Sequence, residues 1–264
     1  MAMGKGGRIQ VSNLYAVGFT TDIGIDREKQ EDYVTYEELG NDALLCVVAD
    51  GTGSRRNYTQ PAVIAALETV GYVKYLYSYK KDLFLSDPEF FLRTSMMLSN
   101  RVLGAFKMGN EEILSGYGAS VTCCLFSNGR IFLAHAGNTR LYILRGGKLR
   151  QLTRDHTKGM ELYEQGLISL EDYHQHPDRL NLTSGIGIVA DPEIQTLSGK
   201  LQKNDLVLMS TDGIHYALRA EAMAELILNS GWVDNASQNL VQAARDVVKY
   251  PDNMSAAVIC SNEA

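Results

Sequence analysis

The run Leu44-Leu45-Cys46-Val47-Val48-Ala49 is unbroken apolar sequence, and Asp50-Gly51-Thr52-Gly53-Ser54 follows it at once. An apolar stretch of this length closed by a Gly-rich turn reads as a strand buried on both faces. Both sides of its sheet must therefore be covered. The strand also delivers one carboxylate, Asp50, at its exit. Asp-Gly is a common turn dipeptide, so Asp50 becomes a chemical candidate only if partners occur elsewhere in the chain.

Partners do occur. Asp205 to Ser210 reads as a strand that ends at Thr211-Asp212-Gly213, the same order of apolar strand, aspartate and glycine. Asp252-Asn253 follows Pro251 and leads into a final apolar strand, Ser255 to Cys260. The polar loop Ile25 to Asp32 closes on Glu31-Asp32, which opens a strand over Tyr33 to Tyr36. Adjacent strand positions face opposite sides, so one of Glu31 and Asp32 points at a shared site and the other acts from behind it. Hard divalent ions take oxygen ligands of this kind. Two such ions about 3.5–4 Å apart, bridged by one carboxylate, activate water and hold a phosphoryl oxygen for in-line displacement. An arginine is then needed for the phosphate, and Arg27 precedes Glu31 by one helical turn's worth of sequence.

The remaining pattern mixes strands and helices without a repeat or linker. Val11, Asn13, Tyr15, Val17 and Phe19 alternate as a first strand; Pro61 to about Tyr79 is helical, with Ala62, Ala66, Val70 and Val73 on one face. Ser86-Asp87-Pro88-Glu89 has capping-box spacing ahead of a second helix with a stripe of Leu92, Met96, Ser99, Leu103 and Phe106. Asn128-Gly129 and Gly146-Gly147 each join two strands as hairpin turns, and Gly137-Asn138-Thr139-Arg140 is a tight polar link between the hairpins. Thr153 to Pro177 reads as a loop or small excursion, because His174 and His176 have no helical spacing and no nearby carboxylate to complete a metal set. Glu193 to Leu201 is a further strand, and Ala220 to Ser230 and Ala236 to Lys249 are the last helices, the latter capped by Asn235.

With 264 residues, 45% of them hydrophobic, the chain suffices for one compact domain. The expected layout is a flexible N-terminal segment over residues 1–10 and a single domain over 11–264. A net charge of −6 without a basic tract gives no footprint for nucleic acid. No stretch approaches a membrane span, and Met1 to Gly7 is too short and Gly-rich for a signal peptide. Cys46, Cys123, Cys124 and Cys260 lie in apolar runs without zinc-site spacing, as buried thiols of a reducing compartment do. The expected location is the cytoplasm. Without a coiled-coil heptad, the expected state is a monomer.

At this point the sequence resembles the bacterial form of the metal-dependent type-2C protein serine/threonine phosphatases over nearly its whole length. The matching pieces come in the family's order: Gly24 to Asp32, Val47 to Gly53, Gly137 to Tyr142 with Leu152 to Thr157, Asp205 to Gly213, and Asp252 to Ser255. Glu164-Gln165-Gly166, His176-Pro177 and Leu182-Thr183 match the mobile flap of bacterial members, an excursion over about 154–181. The resemblance implies an α+β fold, a four-layer α-β-β-α sandwich of two antiparallel sheets flanked by helices. It implies two Mn2+ or Mg2+ ions, with Asp50 bridging them, Asp212 and Asp252 completing one, and Glu31 and the Gly51 carbonyl serving the other. Asp32 holds metal-bound water and Arg27 anchors the phosphate. By that carry-over a bridging hydroxide hydrolyses phosphoserine and phosphothreonine in proteins without a phosphoenzyme, opposing a serine/threonine kinase. The chain departs from the family at Asn138, where relatives carry an aspartate of a third, weaker metal site. A neutral amide is the poorer ligand for a hard cation. That exchange opens an alternative, a catalytically weak phosphoprotein-binding regulatory domain of the same fold. Thr52, Ser54 and Ser184 also differ from the family pattern, near where substrate is handled.

Overall fold

The computed structural model describes residues 9–10, 14–53, 58–110, 112–247 and 252–261. The strands are β1 (Ile9–Gln10), β2 (Tyr15–Asp22), β3 (Asp32–Leu39), β4 (Ala43–Thr52), β5 (Gly118–Ser127), β6 (Arg130–Ala136), β7 (Arg140–Arg145), β8 (Lys148–Gln151), β9 (Gln195–Lys200), β10 (Leu206–Ser210) and β11 (Met254–Ser261). The helices are α1 (Pro61–Tyr79), α2 (Lys81–Ser86), α3 (Pro88–Lys107), α4 (Lys158–Glu164), α5 (Leu170–Gln175), α6 (Asp212–His215), α7 (Ala220–Asn229) and α8 (Val233–Asp246).

Two sheets form, in the orders β1-β2-β11-β10-β7-β8 and β3-β4-β5-β6-β9. Every pairing is antiparallel. The apolar run of β4 shows how they stack. Leu45, Val47 and Ala49 pack with Ala62, Ala66 and Val73 of α1 and Leu92 and Met96 of α3. Leu44, Cys46 and Val48 pack with Val17 of β2, Val207 and Met209 of β10, and Ala257 and Ile259 of β11. Alternate residues of one strand therefore serve two different interfaces, as the period of a strand requires. On the far side, Leu208 and Val258 meet Met223 and Ile227 of α7 and Leu240 and Val241 of α8. The result is the four-layer α-β-β-α sandwich.

Asn128 and Gly129 have φ of 52° and 65°, and Gly146 and Gly147 of 56° and 77°, so both hairpin turns use the left-handed region as expected. Other boundaries move. Asp87, not Ser86, caps α3, accepting from the Phe90 amide at 3.1 Å, while Ser86 closes α2. Phe106 falls on the exposed side of α3. Helix α8 begins at Val233, so Asn235 lies inside it and not at its cap. The excursion holds α4, α5 and a 3-10 turn at Pro177–Leu180. Thr157 caps α4, and Ser169 forms a capping box with Asp172 on α5. The His176 side chain accepts from the Asp178 amide at the start of the 3-10 turn. Of the segment expected to be flexible, Ile9 and Gln10 pair with β2. The first eight residues, Val11 and Asn13 lie outside the described residues. Among the described residues, no helix is long and apolar enough to cross a membrane.

Candidate metal centre

Four segments from both sheets reach one edge of the sandwich. Asp50 stands two residues beyond Val48 and so continues the row of β4 that faces between the sheets. Asp32 is its register partner on β3, which makes the two carboxylates close neighbours. The Gly51 amide donates to the Glu31 carbonyl at 3.1 Å and ties the loop before β3 to β4. Because β3 starts at Asp32, strand alternation does not govern Glu31, and both acids lie by Asp50. From the other sheet come Asp212, the first residue of α6 after β10, and Asp252, just before β11. Thr211 holds these strand ends together, donating its amide to the Ser255 carbonyl and accepting the Ser255 amide, each at 3.0 Å.

Asn253 braces the edge, and the sequence reading did not single it out. Its Oδ1 accepts from the Glu31 amide at 2.7 Å, and its Nδ2 donates to the Ile23 and Lys29 carbonyls at 2.8 and 2.9 Å. A Cβ at residue 213 would sit 2.0 Å from the Asn253 carbonyl oxygen, so Gly213 is required for that approach. The only sequence signal for Asn253 is its place beside Asp252.

The site crowds carboxyl groups together with a close cation, Arg27, beside them. Burial, and then the carboxylates of Asp212, Asp32, Asp252 and Glu31, hold the Asp50 carboxyl well above its ordinary range. Burial lifts Asp32 to about 8 against the pull of the Ser255 and Thr211 hydroxyls, the latter donating to its Oδ2 at 2.8 Å. Burial and the Asp252 carboxylate lift Asp212 to about 6, opposed by the amide of Asn138, whose Nδ2 donates to Asp212 Oδ2 at 3.1 Å. Asp252 is paired with Arg27 at 2.7 Å. Among the described residues, no three His, Cys, Asp or Glu side chains form a finished metal cage as they stand. The donors still suit hard divalent ions. All are oxygens, and the like charges around Asp50 are what a cation would neutralise.

The family model of protein phosphatase 2C matches residues 26–247. The chain belongs to the protein phosphatase 2C family. Its enzyme class is accordingly that of a protein phosphatase. It is 28% identical over 213 residues to the serine/threonine phosphatase stp of Listeria monocytogenes, covering 79% of this chain and 81% of that one. The structure of the S. agalactiae serine/threonine phosphatase superimposes with a TM-score of 0.82 at 25% identity, over 93% of this chain and 98% of that one. The catalytic domain of the serine/threonine phosphatase PstP, solved in complex with two manganese ions, shares the fold at a TM-score of 0.77 and 24% identity, over 94% and 98% of the two chains.

Beside its acidic edge the phosphatase carries a second buried acid that the sequence reading passed over. Asp155 is fully buried and takes the Arg140 guanidinium in a fork, Nε at 2.9 Å and Nη2 at 2.6 Å. Gln151 Nε2 donates to it at 3.1 Å, and Tyr173 of α5 donates its hydroxyl. The Arg140 guanidinium and the Arg179 guanidinium both lie over the Tyr216 ring, at 5.4 and 4.8 Å. The excursion is thus docked on a buried ion pair two residues beyond Asn138. The cysteines stand apart from this chemistry. All four are free thiols, and burial raises them, Cys123 to about 12, which removes their nucleophilicity at neutral pH.

Proposed function

We propose that this phosphatase hydrolyses phosphoserine and phosphothreonine in proteins with the help of two divalent metal ions, Mn2+ or Mg2+. The observation that carries the reading is the meeting, around Asp50, of carboxylates from the edges of two different sheets. Asp50 would be shared between the ions, with Asp212 and Asp252 completing one set and Glu31 and the Gly51 carbonyl the other. The name of the Listeria relative and the two manganese ions of PstP support the same assignment. Ions so held lower the pKa of water and draw charge from phosphoryl oxygens.

The chain's own residues do the positioning. Arg27 is half-exposed and paired with Asp252 at 2.7 Å, within reach of the same edge, and its planar fork suits two phosphate oxygens. Asp32, next to Asp50 and fixed through Oδ2 by Thr211, stays protonated up to about pH 8 and so can hold a water or pass a proton at neutral pH. As in the family this chain belongs to, attack would fall to a metal-activated water, with no phosphoenzyme. A phosphoprotein is the substrate, and a serine/threonine kinase of the cytoplasm supplies it.

The test is phosphate release from a small aryl phosphate and from a phosphothreonine peptide, with manganese, magnesium or chelator. Turnover should vanish with chelator, and Asp50→Asn should lower it by more than ~100-fold, since loss even of groups behind a metal ligand costs about 10–100-fold. Folded protein that binds manganese and releases no phosphate would instead support the phosphoprotein-binding alternative that Asn138 raises.

A further inference from the structure

We propose that Asn138 is a positioning residue that fixes one oxygen of Asp212 through a neutral amide, where an acid at the same place would demand a further cation. The inference rests on the two-metal reading above only for its metal-binding arm. Its geometric basis is independent of any ion.

Asn in a tight link between strands is ordinarily an exposed turn former. Asn138 is 4% exposed and reaches a carboxylate 74 residues away. Only the NH2 end of the amide donates to a carboxylate, so the side-chain orientation is set by chemistry. The backbone under it is equally fixed. Ser120 Oγ accepts from the amides of Asn138 and Thr139, at 2.8 and 2.6 Å. Gly137 has φ of 113°, and a Cβ there would meet Ser120 Oγ at 2.3 Å. Ser120 is in turn the register partner of Asp50 on the neighbouring strand. One hydroxyl therefore ties the link that carries Asn138 to the strand that carries Asp50, and the amide delivers that rigidity to Asp212.

The consequence for Asp212 is specific. Its Oδ2 accepts from the amide, which restrains rotation of the carboxylate while acceptor sites remain for a cation. The donor adds no charge to an edge already crowded with carboxylates. An aspartate at 138 would place a second carboxylate at the same spot, against Asp212, with no donor between them. That arrangement is unfavourable until a cation, or at lower pH a shared proton, sits between the two acids.

Two variants of the full chain separate these roles, read by manganese calorimetry and by thermal unfolding in chelator. Asn138→Ala removes the donor and keeps the charge. It should bind manganese with unchanged stoichiometry and about tenfold weaker affinity. Asn138→Asp should take up one ion more than the wild-type chain. In chelator its Tm should fall by about 2–4 °C, recovered when manganese is added. Wild-type affinity in Asn138→Ala, or wild-type stoichiometry and chelator Tm in Asn138→Asp, overturns the proposal. Absence of manganese binding by the wild-type chain overturns the metal-centre reading instead. The chelator melting comparison then still decides the role of Asn138, because it requires no ion.

Discussion

The molecule buries acids in two places and treats them in opposite ways. Asp155 has its countercharge beside it. Although burial favours its neutral form, the Arg140 guanidinium and the Tyr173 hydroxyl bring its carboxyl below the ordinary range. Around Asp50 the same residue type is collected with, among the described residues, a close ion pair only at Asp252, to Arg27, and Asp32 and Asp212 are lifted to about 8 and about 6. A charge that is paired within the fold supports the fold. A charge left unpaired among like charges works against the fold and is available to something from outside it, which is the pattern expected of a functional site. Substituting either acid by its amide separates the two. Asp155→Asn leaves the Arg140 charge buried and unmatched, and should cost about 3–5 kcal/mol in urea unfolding. Asp50→Asn relieves repulsion, and in chelator it should unfold at or above the wild-type midpoint while losing activity. Equal destabilisation by both changes would erase the distinction.

The readability of the two places from sequence differs for a physical reason. Asp50, Asp212 and Asp252 each stand where an apolar run meets a turn, and that pattern is local, so each aspartate was visible before any contact was known. Burial of β4 on both faces was visible in the same way. Asp155, Arg140 and Tyr173 carry no such mark. Their meaning lies in a contact between a hairpin strand, a loop and a short helix, and nothing within a few residues of any of them announces it. Asn253 and Ser120 were missed likewise, since Asn253 acts on Glu31 across 222 residues. Helices α4 and α5 run for seven and six residues, too few turns for a helical period to emerge. The cap of α3 moved by one residue because Asp87 sits next to Pro88 at the first helical position, and the Ser86 that completes the spacing belongs to α2.

Acid–base behaviour sharpens the comparison. A carboxyl whose folded pKa is raised holds a proton that the unfolded chain, near 3.9, has released. Its contribution is complete below the unfolded value and is lost as pH rises through the folded one. For Asp32 that loss runs upward from the unfolded value and is complete once pH has passed about 8. Asp155 has the opposite sign, stabilising above the unfolded pKa and losing that contribution as pH falls through its folded value. Burial lowers His135, His156 and His215, so they are uncharged in both states above neutrality and silent there. The chelated chain should therefore lose stability as pH rises from about 7 to about 8, and the part due to Asp32 should level off above that. Asp32→Asn should reduce that fall, leaving the part due to Asp50, and manganese should flatten it. A flat wild-type profile in chelator would show that the acidic edge carries no such strain.

The smallest expected effect addresses how far the paired acid reaches. Tyr173 is the contribution of the excursion to Asp155, and Tyr173→Phe deletes its hydroxyl while keeping the ring against Tyr163 and His174. Asp155 keeps Arg140 and Gln151, so the ion pair itself survives. A hydrogen bond to a charged group is worth about 1.5–3 kcal/mol, less than the loss of the carboxylate's charge. Its effect should stay local. Amide exchange should quicken through α5 and the 3-10 turn that follows, where Arg179 and Tyr216 provide the remaining hold, and stay unchanged in β4 around Asp50. Faster exchange at Asp50 would mean that the docked excursion also supports the acidic edge, through Arg140 and the Asn138 link, and the two places would then be one cooperative unit. Unchanged exchange throughout would assign the docking of α5 to its apolar contacts and leave the hydroxyl a partner of Asp155 alone.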